Sequence, residues 1–173
     1  MIKNGKGGGK TITGLKFEKR IDLKTVVENL EHYKLEGNIV FHNGEKIAEI
    51  YRKNDLYKKL LEPNGIDYKK IVSKKLLPDD AIFVLKGKTL NIIEIKFQEV
   101  AGSVDEKLQT CDFKNRQYKK LLSPLGINVR YIYVLNDWFK KPEYKDVLDF
   151  VHEVGCYYFF YTIPLDFIGL PTN

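Results

Sequence analysis

The sequence predicts an α/β domain: a central mixed β-sheet flanked by helices, with an inserted β-hairpin near the N-terminus. Three observations lead there. Two β-rich runs, "LLPDDAIFVL" and "TLNIIEIKFQEV", are joined by the tight connection Lys86-Gly87-Lys88, so they read as paired neighbours. After them helical and strand patterns alternate to the C-terminus, and such alternation packs crossover helices over a sheet. Upstream, Asn43-Gly44 separates two short apolar runs, and both residues tolerate the positive φ that a hairpin turn requires.

Each element has its own signal. In "LKFEKRIDLKTVVENLEHY" (15–33), Phe17, Ile21, Val26, Val27 and Leu30 recur at near-helical spacing and predict an amphipathic helix, broken near Asp22. "NIVFHNGEKIAEIYR" is the hairpin. "NDLYKKLLEPNG" predicts a short helix capped by Asn54 and stopped by Pro63. The two strands follow. Ser103 with Glu106 three residues on forms a capping box, from which a helix runs to about Leu122. "INVRYIYVLN" is a buried strand, "KDVLDFVHEVG" a helix closed by Gly155, and "CYYFFYTIP" a last strand. Residues 1–13 read as a flexible, basic, glycine-rich arm and 14–173 as a single domain.

Composition narrows the function classes. With 173 residues and 43% hydrophobic content the chain can bury a sizeable core. No apolar run approaches the roughly 20 residues of a membrane-spanning helix, and the N-terminus lacks the apolar centre of a secretion signal. The expectation is a cytoplasmic protein with no membrane partner. Cys111 and Cys156 then read as ordinary buried thiols. The net charge of +6 favours a polyanionic partner.

The opening stretch "KNGKGGGKTITG" imitates a phosphate-cradling nucleotide loop. That loop needs a glycine where this chain has Asn4, and it must follow a buried strand, whereas only "MIK" precedes it. No nucleotide cofactor is expected.

The chemistry concentrates in "LNIIEIKFQ". Period-two alternation sends Ile93, Ile95 and Phe97 to one face and Glu94, Lys96 and Gln98 to the other. A charged row inside a sheet covered by helices requires an explanation. Counting out from the Lys86–Lys88 turn brings Asp79 and Asp80 beside Glu94 and Lys96. Carboxylates converging with one ammonium form a hard-cation site suited to Mg2+, with the lysine placed to orient water or neutralise phosphate charge. The contrary reading is a solvated hairpin carrying an exposed charged row.

Pro78-Asp79 followed by Glu94-Ile95-Lys96 resembles the signature of the PD-(D/E)XK nuclease superfamily, and the nearest likeness is to small type II restriction endonucleases. The resemblance implies a restriction-endonuclease-like core and Mg2+-dependent hydrolysis of double-stranded DNA at a short site, leaving 5′-phosphates. Asp79 and Glu94 would hold the metal with the Ile95 carbonyl, and Lys96 would position the nucleophile. Glu18, on the expected first helix, would join the site, and Gln98 matches a polar position seen in some members. A homodimer is also implied. Asp79 against Asp80 stays open as the ligand. The rival readings are a structure-selective resolvase or repair nuclease on the same core, or a non-catalytic DNA-binding protein.

DNA contacts are expected from three places. Ser103, Lys107 and Gln109 begin the helix beyond the catalytic strand. Lys6, Lys10, Thr11 and Thr13 lie on the arm, and His42 and Asn43 sit at the hairpin turn. His32 and His152 read as helix-surface residues, and Tyr131 and Tyr133 as core.

Overall fold

A computed structural model describes residues 13–18 and 21–172. Seven strands form one mixed sheet in the order β2-β3-β4-β5-β6-β7-β8. They are β2 (Tyr33–Glu36), β3 (Ile39–His42), β4 (Glu45–Tyr51), β5 (Asp80–Val84), β6 (Thr89–Lys96), β7 (Asn128–Leu135) and β8 (Tyr157–Phe160). Strands β2 to β6 are an antiparallel meander, while β6, β7 and β8 run parallel. Parallel neighbours need crossovers, which α3 (Cys111–Leu122) and α4 (Lys145–Glu153) supply. The expected α/β class with a mixed sheet is what the chain adopts. Among the described residues no helix is long and apolar enough to cross a membrane.

The turns fold as their residues dictate. Asn43 and Gly44 both take positive φ, 50° and 82°, which aligns the hairpin with the twist of its strands. Alternation along β6 then sorts side chains to two cores. Leu90 and Ile92 join Cys111, Tyr118, Leu121 and Leu122 of α3 and Leu148 and Val151 of α4. Ile93 joins Leu23, Val26 and Val27 of α1 (Leu23–Glu28) on the opposite face. Tyr131 and Tyr133 are fully buried in the first core, and Cys111 and Cys156 are buried free thiols, as expected.

Four expectations are corrected. Residues 15–33 are not one helix. β1 (Gly14–Lys16) pairs with β9 (Thr162–Pro164) in a separate small sheet, α1 spans six residues, and β2 follows. Close pairing at Gly14 selects extended chain: a Cβ there would meet the Ile163 carbonyl oxygen at 2.6 Å. The expected break at Asp22 is the N-cap of α1, where its carboxylate accepts from Thr25 N–H at 3.0 Å. His32 consequently sits in a left-handed turn with φ 65°, off any helix surface.

The segment after Asn54 is a π-type turn at Leu56–Leu61 that tightens into a 3-10 turn containing Pro63 and ends at left-handed Gly65. No Asn54 side-chain cap forms; its carbonyl accepts from Tyr57 N–H and Lys58 N–H. Ser103 makes no side-chain cap either. The helix expected there is split into α2 (Val104–Leu108) and α3, where the Thr110 hydroxyl donates back to the Lys107 carbonyl at 2.8 Å. The last strand is also divided. Tyr161, with φ 59°, turns the chain out of the large sheet so that β9 can meet β1, and α5 (Leu165–Ile168) follows.

Candidate functional site

The β5–β6 pairing sets the geometry. Asp80 faces Ile93, so one further step of the same antiparallel register puts Asp79 opposite Glu94. Facing residues share a side of the sheet, and adjacent residues take opposite sides. Asp79, Glu94 and Lys96 therefore share the α3 side, whereas Asp80 turns to the α1 side. Pro78 is buried, and its carbonyl accepts from Lys53 N–H at 2.9 Å, which ties the end of β4 to the start of the acidic pair.

Glu94 is 5% exposed and held between two ammonium groups. Lys96 Nζ lies 3.0 Å from Oε2. Lys114 Nζ, from α3, spans both oxygens at 3.0 and 3.2 Å. Burial pushes the Glu94 carboxyl up, but the charges of Lys96 and Lys114 outweigh it and hold the group below its ordinary value. Burial, and then the Glu94 charge, raise the Tyr131 phenol far above its usual range, so it stays neutral. Asp79 is ion-paired to Lys53. Burial raises it too, and Lys53, then Lys96 and Lys114, more than reverse the effect.

On the α1 side, Asp80 Oδ2 accepts from Leu23 N–H at 3.3 Å and Oδ1 lies 3.3 Å from Arg52 Nε. Here burial wins over Arg52 and raises the carboxyl to about 6. Arg52 Nη1 also lies 3.6 Å from Asp22 Oδ2.

A cleft of about 350 Å³ opens at this end of the sheet; Arg52, Lys53, Asp79, Asp80, Lys96 and Lys107 line it, and the buried Glu94 adjoins it through Lys96. Its four basic side chains can draw an anion toward the acids beside them. Among the described residues no group of three or more His, Cys, Asp or Glu side chains gathers as a metal cluster. The donors at hand are the carboxylates of Asp79 and Glu94, with the Ile95 carbonyl at the strand end. Such a sparse oxygen set fits a cation that keeps several of its waters, as Mg2+ does.

The other expected residues separate. Lys107 lines the cleft; Ser103 and Gln109 are exposed and do not. Gln98 is 6% exposed and serves the strand end: its N–H donates to Asn136 Oδ1 at 3.3 Å and its Nε2 to the Val100 carbonyl at 2.8 Å. Glu18 follows β1 rather than riding on a helix, and it borders a different cavity of about 540 Å³ with Thr13, Lys16 and Tyr33. The first helix instead offers Asp22 to the cleft. His42 and Asn43 lie at the end of the sheet away from the cleft. β4 runs from their turn to Tyr51 beside the cleft, a seven-residue span of about 20 Å. The turn at the cleft end is Gly37-Asn38, whose Asn38 carbonyl accepts from Ile50 N–H at 2.7 Å. Lys6, Lys10 and Thr11 lie outside the described residues.

Sequence reasoning missed Arg52, Lys53 and Lys114. A signal for Lys114 existed, because it stands three residues past buried Cys111 and four before buried Tyr118, beside the inner stripe of α3. Lys53 and Arg52 had none, since only the β4–β5 pairing brings them in. No protein-family model, curated protein or solved structure matches the chain.

Proposed function

We propose that the cleft is the active site of a Mg2+-dependent DNA endonuclease with a restriction-endonuclease-like core, cutting double-stranded DNA at a short site as type II enzymes do. The observation that carries the reading is the β5–β6 register, which sets Asp79, Glu94 and Lys96 on one side of the sheet, with Asp79 and Lys96 lining a basic cleft and the buried Glu94 ion-paired to Lys96. The meander followed by two parallel crossovers supports the core assignment.

Asp79 and Glu94 would hold the cation, helped by the Ile95 carbonyl. Bound there, it would acidify a water and polarise a phosphoryl oxygen. Lys96 orients the attacking water and offsets negative charge growing on the phosphate. The water oxygen forms the new P–O bond as the P–O3′ bond breaks, the water proton passing to solvent and the 3′ oxygen taking one from solvent. Lys53 and Lys107 attract the backbone to the cleft. The products are a 5′-phosphate and a 3′-hydroxyl.

The test is incubation of the purified protein with plasmid and Mg2+, alongside Lys96→Ala and Glu94→Ala. Discrete fragments that vanish in both variants are expected, and sequencing their ends identifies the site. A smear would replace the site-specific reading with a nonspecific nuclease. Cutting that persists in a metal chelator would overturn the metal site.

A further inference from the structure

The carboxylate best placed to hold a cation is already occupied. Lys114 Nζ contacts both Glu94 oxygens, at 3.0 and 3.2 Å, and Lys96 Nζ lies 3.0 Å from Oε2. A divalent cation taking either oxygen must displace Lys114 from at least one of them. Lys114 is also the freer of the two: its side chain is 29% exposed against 18% for Lys96. It reaches the site from α3, outside the β5–β6 hairpin that carries the other groups.

With Lys114 gone, Lys96 alone would attend a carboxylate that is 5% exposed, and that partial loss of pairing is costly unless another cation takes the place of Lys114. We propose that Lys114 is a resident counter-ion that gates metal entry: it neutralises Glu94 until a divalent cation arrives, then exchanges and swings its ammonium toward the DNA backbone. The inference rests on the cleft being the metal and phosphodiester site. Metal and DNA binding then become linked through one side chain. A phosphate that captures the released ammonium makes metal binding easier, and by reciprocity bound metal strengthens DNA binding.

Calorimetric titration of Mg2+ into the DNA-free protein tests this. Removing the competing charge in Lys114→Met is expected to tighten Mg2+ binding about tenfold, while Lys114→Arg keeps the wild-type affinity. In a second arm, fluorescence anisotropy of a labelled 20-base-pair duplex is measured in EDTA and in Ca2+, a second oxygen-seeking cation. Wild type is expected to bind the duplex several-fold tighter in Ca2+, and Lys114→Met to lose most of that gain. Unchanged or weaker Mg2+ binding by Lys114→Met overturns the proposal, as does an undiminished Ca2+ gain. So does absence of Mg2+ binding in the wild type. If the Lys114 effects hold but plasmid stays intact, the hydrolytic reading falls and the gate stands.

Discussion

Asp79 and Asp80 are neighbours in the chain and opposites in the fold. On one side of the sheet, Asp79 and Glu94 sit among Lys53, Lys96 and Lys114, and both carboxyls are held below their ordinary values. On the other side, Asp80 meets one guanidinium and one backbone N–H, and burial raises it to about 6. A single peptide step thus separates a site kept anionic from one pressed toward neutrality. The lesson is that cation supply, more than burial, sets the charge of an acid in this sheet: Glu94 is 5% exposed and Asp80 3%, yet they shift in opposite directions. The lysine-rich side is the one at which we propose that ammonium exchanges for metal. The arginine side reads as a structural tie, joining the N-terminus of α1 to the end of β4.

The largest expected contrast is in catalysis. Glu94→Gln and Asp79→Asn should each lower Mg2+-dependent plasmid cleavage by about 100-fold or more, while Asp80→Asn stays within about tenfold of wild type. Equal losses at Asp79 and Asp80, measured as initial rates, would erase the division between the faces.

Next is the pH dependence of stability, where the two sides should slope in opposite senses. A folded value raised to about 6 means that Asp80 favours the folded state fully below the ordinary carboxylate value of 3.8, and that this contribution is lost as pH rises through 6. Urea denaturation from pH 4 to 7 should show wild type losing up to about 3 kcal/mol relative to Asp80→Asn. Glu94 works the other way. Its folded value is depressed, so its contribution is present above 4.5 and lost as pH falls through the lower folded value. A wild-type curve parallel to that of Asp80→Asn between pH 4 and 7 would contradict the assignment.

The smallest effect belongs to the outer rim. Lys53 and Asp79 form a pair whose side chains are 53% and 48% exposed, so Lys53→Met should change unfolding free energy by less than about 1 kcal/mol. A larger loss in the same urea assay would place Lys53 in the buried charge balance with Lys96 and Lys114.

How much of this could be read from the chain depends on the range of the forces involved. The Asn43-Gly44 turn was legible because positive φ is a property of those two residues. That Asp79 and Asp80 come beside Glu94 was legible because the short Lys86–Lys88 connection leaves little choice of register. Residues 15–33 misled for the opposite reason. Leu15 and Phe17 are buried by pairing with a strand nearly 150 residues away, a contact that overrides their helix-like spacing. The capping box at Ser103 matched a pattern but not a geometry, since its helix lasts five residues. His42 and Asn43 were placed in a turn by their residues, but turn chemistry does not say which end of a sheet a turn occupies, and the distance from the cleft emerged only from the β4 strand between the two.

By itself, then, the amino-acid order determined the α/β alternation, the two hairpins, and the row of acid and ammonium at the end of β6. These follow from side-chain periodicity and turn residues, which act over a few positions. Only the tertiary structure decided that Asp79 rather than Asp80 shares a side with Glu94, that Lys53 and Lys114 attend the two acids, and that Glu18 stands apart from them. Strand order and helix placement set those contacts, because the balance between desolvation and neighbouring charge depends on residues far apart in the chain.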